Sequence, residues 1–102
     1  PAAIVVCANK TKAWKRPFDG KITTDIDASI LTDHMMLEAT ELGLGSVWIC
    51  YFNPDILKEE LNLPENLEPV NILALGYSDE LDASAERHKD MRIGMDELVS
   101  YL

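Results

Sequence analysis

Apolar residues fall along this chain in three short continuous runs and one long periodic stretch. Ala3 to Ala8 (AIVVCA) is unbroken and rich in β-branched residues, the pattern of a strand covered on both faces. Val47 to Phe52 (VWICYF) predicts a second strand, and Val70 to Leu75 a third, stopped by Gly76. Between the first two runs, Ile26, Ile30, Leu31, Met35, Leu37 and Leu42 recur at helical spacing, which predicts a helix of about five turns. Thr24-Asp25-Ile26-Asp27 has the form of a capping box with Thr24 as N-cap, and Gly43 stands where a left-handed C-cap belongs. Asn53-Pro54 then gives an N-cap followed by proline at the first helical position, so a short helix is expected from Pro54 to Leu61, ending before Pro64.

The remaining segments are polar. Asn9 to Gly20 reads as a long exposed loop closed by the Asp19-Gly20 turn, and Ser78 to Lys89 as a second loop. The tail from Arg92 carries Ile93, Met95, Leu98, Val99 and Leu102, enough apolar surface to dock on something. Three doubly buried strands and one long helix imply a layered αβ architecture with helices on both sheet faces. Three strands make a thin sheet for this much apolar surface, and the chain opens at Pro1, with no methionine, directly into a core strand. The expectation is that residues 1–102 are the C-terminal part of a single larger domain.

Composition narrows the function. A hydrophobic fraction of 47% fits a globular protein, and no apolar run approaches the ~20 residues of a membrane span. The net charge of -9 argues against nucleic acid, and the lack of a signal-like segment makes the cytoplasm the expected location. Cys7 and Cys50 each lie inside an apolar run and read as buried free thiols, and neither forms a metal spacing with His34 or His88. Gly43-Leu44-Gly45-Ser46 follows a helix and opens a strand, the reverse of a dinucleotide fingerprint, and Trp48 occupies the place of the third glycine. There is no phosphate-binding Gly-Lys-Ser/Thr and no Gly-x-Ser-x-Gly elbow, so no catalytic side chain is nominated.

Charge placement says more than net charge. Five of the nine basic residues (Lys10, Lys12, Lys15, Arg16, Lys21) lie in one loop, and Arg87, Lys89 and Arg92 crowd the approach to the C-terminus. Each island reads either as a solvated basic stretch or as a contact for an anionic ligand.

Several segments, taken in order, resemble one family. They are Asp25-Ile26-Asp27-Ala28, Asp33-His34-Met35-Met36-Leu37, Ala39 through Ile49 (ATELGLGSVWI), Leu63-Pro64, Pro69-Val70, Leu75-Gly76-Tyr77 and Met95 to Val99. Their order and spacing resemble the C-terminal half of a short nitroreductase-family flavoprotein. The resemblance implies an α+β fold with a central, mostly antiparallel sheet flanked by helices, a homodimer, and FMN bound at the subunit interface. It implies that the backbone of Trp48, Ile49, Cys50 and Tyr51 meets the isoalloxazine ring, where an N–H near the ring stabilises the charge that reduction adds. Basic residues near the C-terminus would hold the FMN phosphate, a role that matches Arg92 and, less closely, Lys89, since Asp90 stands where a second basic residue is expected. The family's N-terminal Arg-Arg-Ser-x-Arg type segment does not occur in this sequence, so a partner copy or an upstream half would complete the site. The implied activity is transfer of electrons from NAD(P)H through FMN to a small organic acceptor such as a nitroaromatic or quinone. The rival reading is a non-catalytic flavoprotein remnant that serves as a scaffold or partner-binding module.

Overall fold

A computed structural model describes residues 1–80 and 83–102. The elements run β1 (Ala2–Asn9), α1 (Thr24–Glu41), β2 (Gly45–Ile49), α2 (Pro54–Glu60), β3 (Leu67–Gly76), α3 (Arg87–Met91) and α4 (Met95–Leu98). The strands form one sheet in the order β1-β3-β2, and both pairings are antiparallel. This is the α+β arrangement expected from the sequence. The expected loop from Ser78 to Lys89 contains Leu81 and Asp82, which lie outside the described residues, and its last part forms the start of α3.

β3 is the longest strand and the central one. Its register with β1 breaks between Val6 and Cys7, where Val6 opposes Asn71 but Cys7 opposes Pro69. The shift leaves Val70 without a partner, and Pro69, which has no N–H to give to the ladder, sits directly beside the bulge. On the other side β2 pairs with β3 only from Gly45↔Gly76 to Ile49↔Ile72. The expected second strand, Val47 to Phe52, is therefore shifted: it begins at Gly45, and Cys50 onward leaves the sheet. The Phe52 N–H donates to the Cys50 carbonyl at 3.1 Å, and this tight turn delivers Asn53 as the N-cap of α2. The Asn53 side chain accepts from the Asp55 and Ile56 N–H groups at 3.0 and 3.3 Å, with Pro54 at the start of the helix as anticipated.

Helix α1 differs from its sequence reading at its start and in its faces. The N-cap is Thr23, one residue before the expected Thr24, and its side chain makes no capping bond; the backbone carbonyl of Thr23 instead accepts from Ile26 and Asp27. The C-terminus behaves as anticipated. Gly43 adopts φ 73°, its N–H donates to Thr40 O and the Leu44 N–H to Ala39 O, the paired bonds of a Schellman motif. The residues that α1 buries are Ala28, Thr32 and Ala39, whereas Ile26, Ile30, Leu31 and Leu37 remain exposed. A helix with a small-residue inner face can sit close to a sheet, and its larger aliphatic residues are then displaced outward.

The strands are also less enclosed than their unbroken apolar runs implied. Burial alternates along β3, with Pro69, Asn71 and Leu73 buried and their neighbours half-buried, and β2 has no fully buried residue. The reason is the uneven cover. α1 packs against all three strands, while α2, among the described elements, packs against β3 alone. Cys7 is half-buried, and burial followed by the nearby Glu68 charge raises its thiol above the ordinary range. Cys50 is exposed, contrary to expectation, because it lies past the last paired residue.

One polar contact joins the central helix to the central strand. Thr32 and Asn71 are both fully buried; Asn71 Nδ2 donates to Thr32 Oγ1 at 3.0 Å, and the Thr32 hydroxyl donates to Ala28 O at 2.8 Å. Each group is satisfied by the other, so removing one strands its partner away from water. In the intact protein, Thr32→Val is expected to lower stability by about 1–3 kcal/mol in urea denaturation. The double variant Thr32→Val/Asn71→Leu is expected to lose less than the two single losses combined.

Candidate functional site

The strand β2 and the segment that follows it present the sequence-predicted residues in two different ways. Trp48 opposes Leu73 and Ile49 opposes Ile72, so the two side chains alternate onto opposite faces of the sheet. The Trp48 indole Nε1 is buried and has no hydrogen-bond partner among the described residues. A buried donor without an acceptor is uncommon, and it marks β2 as a place where a further polar group fits. Cys50 and Tyr51 lie beyond the ladder and are exposed, Tyr51 completely, so their backbone N–H groups are not held by sheet pairing. Together with Phe52 and Asn53 they line a shallow cleft of about 380 Å3.

The entry to β2 is shaped by glycine. A Cβ on Gly45 would lie 3.4 Å from the Gly76 carbonyl oxygen and 3.7 Å from the Ser78 Cβ, in ordinary contact with the strand opposite. Around it runs an open groove of about 1020 Å3, lined by Gly45, Ser46, Gly76, Tyr77, Glu80 and Arg87 among others.

The second group of predicted residues lies in the tail. Lys89 is exposed and ion-paired with Glu86 across one turn of α3. Arg92 is exposed, closes α3, and takes part in no ion pair among the described residues. The Arg87 guanidinium donates to the carbonyls of Ala83 and Ser84 at 2.9 and 2.8 Å. His88 between them is held below its ordinary imidazole range, first by desolvation and then by the charges of Arg92 and Arg87. The sequence reading counted Arg87, Lys89 and Arg92 as a basic island but gave His88 no part in it; its place between two arginines was the available signal. The orphaned Trp48 donor had no counterpart in the sequence, because it depends on what packs around the indole.

The structure does not bring the two groups together within one chain. Trp48 to Tyr51 occupy the C-terminal end of β2, while Arg87 lines the groove at the opposite, Gly45–Gly76 end. Apart from Arg87 at that groove, among the described residues α3 and α4 do not pack on the sheet, α1 or α2. The radius of gyration is 17.3 Å, against about 13 Å for a compact domain of this length. The tail is an arm that leaves the body. Among the described residues no cluster of His, Cys, Asp and Glu could hold a metal, and no helix is long and apolar enough to cross a membrane.

Known proteins share this geometry. The profile of the nitroreductase family matches residues 1–77. A nitroreductase-family protein from Clostridium difficile superposes with a TM-score of 0.91 at 64% identity, covering 97% of this chain and 58% of its own. A second Clostridium difficile structure, described as an FMN-dependent nitroreductase, matches with a TM-score of 0.67 at 30% identity over 92% of this chain and 56% of its own. An Archaeoglobus fulgidus protein, described as an NADH dehydrogenase/NAD(P)H nitroreductase, is 40% identical over 86 residues, which is 79% of this chain and 47% of the relative. The chain thus spans about half the length of the proteins it matches. With the family profile covering three quarters of its residues and a family structure superposing on 97% of them, this chain belongs to the nitroreductase family.

Proposed function

We propose that the protein is an FMN-dependent oxidoreductase that takes electrons from NAD(P)H and delivers them to a small organic acceptor such as a nitroaromatic or a quinone. Oxidoreductase activity is supported by the family and by a relative described as an NADH dehydrogenase/NAD(P)H nitroreductase. FMN is suggested by the relative described as FMN-dependent. The observation that carries the reading is the end of β2, where Cys50 and Tyr51 leave the ladder and, with Phe52 and Asn53, line an exposed cleft.

The residues fit the cofactor in kind. A flavin ring needs backbone donors at one edge and a flat, partly apolar wall, and the segment Trp48, Ile49, Cys50 and Tyr51 offers both. Its phosphate needs cations free to turn toward it. Arg92 meets that need, whereas Lys89 is engaged with Glu86, which makes it the lesser candidate. When bound, FMN supplies the redox chemistry, accepting hydride from the nicotinamide and releasing electrons to the acceptor. The chain's own part is to orient the ring by backbone contacts, to neutralise charge on the phosphate, and to keep Tyr51 and Phe52 against the entry of the site. Nothing in this part requires a side-chain acid or base.

A homodimer with the site at its interface accounts for the separation of Arg92 from Tyr51. An arm that does not pack on its own body can carry Leu98, Val99 and Leu102 to a second copy, and the exposed aliphatic face of α1 gives such a contact an apolar surface. The family match favours this enzyme over a scaffold.

The proposal is tested with the intact protein supplied with FMN. Nicotinamide oxidation that depends on FMN and on an added nitroaromatic or quinone is the expected result; a protein that takes up no flavin would overturn it. Arg92→Ala is expected to weaken FMN binding by about ten-fold or more while leaving riboflavin nearly unaffected, since only FMN carries the phosphate. The same contact has a spectroscopic mark. A phosphate beside Arg92 offsets the positive charges that hold the His88 imidazole down, so FMN is expected to raise the His88 titration midpoint by NMR and riboflavin to leave it in place. Equal responses to the two ligands would remove Arg92 from the phosphate site.

A further inference from the structure

The loop between β1 and α1 is the most positively charged segment of an acidic protein. Between Asn9 and Lys21 five cations stand against the single carboxylate Asp19, in a chain of net charge -9. That carboxylate is already committed. It pairs with Arg16, whose Nε donates to Asp19 Oδ1 at 2.7 Å, and it accepts the Lys21 N–H at 3.1 Å. Lys10 reaches Glu68 at 3.8 Å. Among the described residues Lys12, Lys15 and Lys21 form no ion pair. Lys12 shares the cleft at the base of the loop with Asp27, so Lys15 and Lys21 carry most of the unmatched charge.

This loop is built. Lys15 and Ile22 form an antiparallel bridge, the Arg16 N–H donates to Lys21 O at 3.0 Å, and Gly20, at φ 69°, closes the turn by donating to Arg16 O at 2.8 Å. The two lysines therefore flank one small hairpin. The Arg16 guanidinium lies 5.0 Å from the Phe18 ring centroid, and both Phe18 and Trp14 are exposed. Cations interleaved with open aromatic faces suit a ligand that is both planar and anionic.

Topology sends the hairpin and the candidate site toward the same end of the sheet, with β1 running on to a partner at Leu67 where β2 stops at Ile72. β1 and β2 are each antiparallel to β3 and so run parallel to one another. Both therefore release their chains at the same end of the sheet: β1 into the basic loop, β2 into Cys50 and Tyr51. The phosphates of a nicotinamide dinucleotide are the anions that an oxidoreductase must gather near its redox site.

We propose that the Lys15–Ile22 hairpin is a docking element for the adenosine-phosphate end of NAD(P)H, with Lys15 and Lys21 as the phosphate contacts and Trp14 or Phe18 as a stacking face. This rests on the oxidoreductase reading above. The phosphate concerned is either the pyrophosphate common to both dinucleotides or the 2′-phosphate of NADPH alone.

The experiment uses the intact, FMN-loaded protein and its Lys15→Gln/Lys21→Gln variant, with NAD+ and NADP+ as non-reducing probes in isothermal titration calorimetry. The variant is expected to bind with an affinity lower by about ten-fold and with a flatter salt dependence, because two charge-assisted contacts are gone. Lys15→Arg/Lys21→Arg is expected to retain binding, and FMN content and circular dichroism to stay unchanged. Loss for both dinucleotides identifies the pyrophosphate, and loss for NADP+ alone the 2′-phosphate. Unchanged affinity for both overturns the hairpin assignment, and so does a variant that alters only the mass of the particle, which would make the hairpin a contact between copies. If the wild-type protein oxidises neither NADH nor NADPH with any acceptor, the oxidoreductase reading fails first and takes the assignment with it.

Discussion

The contact on which the fold turns is the water-free pair of Thr32 and Asn71. It ties the middle of the only long helix to the middle of the only strand that has two neighbours among the described residues. Hydrogen bonds of this kind demand a fixed, short separation. A short separation in turn demands small residues along the rest of the interface, and Ala28 and Ala39 supply them. The consequence reaches the surface. Ile30, Leu31 and Leu37 have no room beneath the helix and face outward, where a chain on its own leaves them in water. Exposed large aliphatic residues on one helix suit an interface.

The site follows from what the central strand can and cannot pair. β3 offers β2 five partners, from Gly76 back to Ile72, and the ladder then stops. Three residues further along β3 stands Pro69, beside the bulge against β1. The end of β2 is thus free to turn, and it leaves the sheet in the same direction as the basic hairpin that follows β1. The tail cations depart from the other end. Within one chain the two sets of proposed site residues therefore lie at different ends of β2.

Much of the fold was legible in the sequence because it is written in local chemistry. Asn53-Pro54 specified the start of α2, Gly43 specified the end of α1, and continuous apolar runs located all three strands. What was not legible depended on neighbours. The breadth of the apolar pattern in α1 concealed which face met the sheet, since Ala28, Thr32 and Ala39 are weak signals beside six large aliphatic and Met residues. The end of β2 was misplaced because Cys50, Tyr51 and Phe52 are good strand residues, and only the register against β3 excludes them. For the site, the positions of Trp48 to Tyr51 and of Arg92 came from a family resemblance, while the ion pair that occupies Lys89 and the orphaned Trp48 donor belong to three-dimensional packing alone.

The central proposal is that a second copy, beside any upstream half, contributes its arm and apolar face to the site. Light scattering of the purified intact protein, coupled to size exclusion and to flavin absorbance, addresses it most directly. The account predicts a particle of twice the chain mass carrying FMN, with Leu37→Glu shifting the mass toward one chain and releasing the flavin. A stable particle of one chain mass that retains FMN through dilution would contradict it.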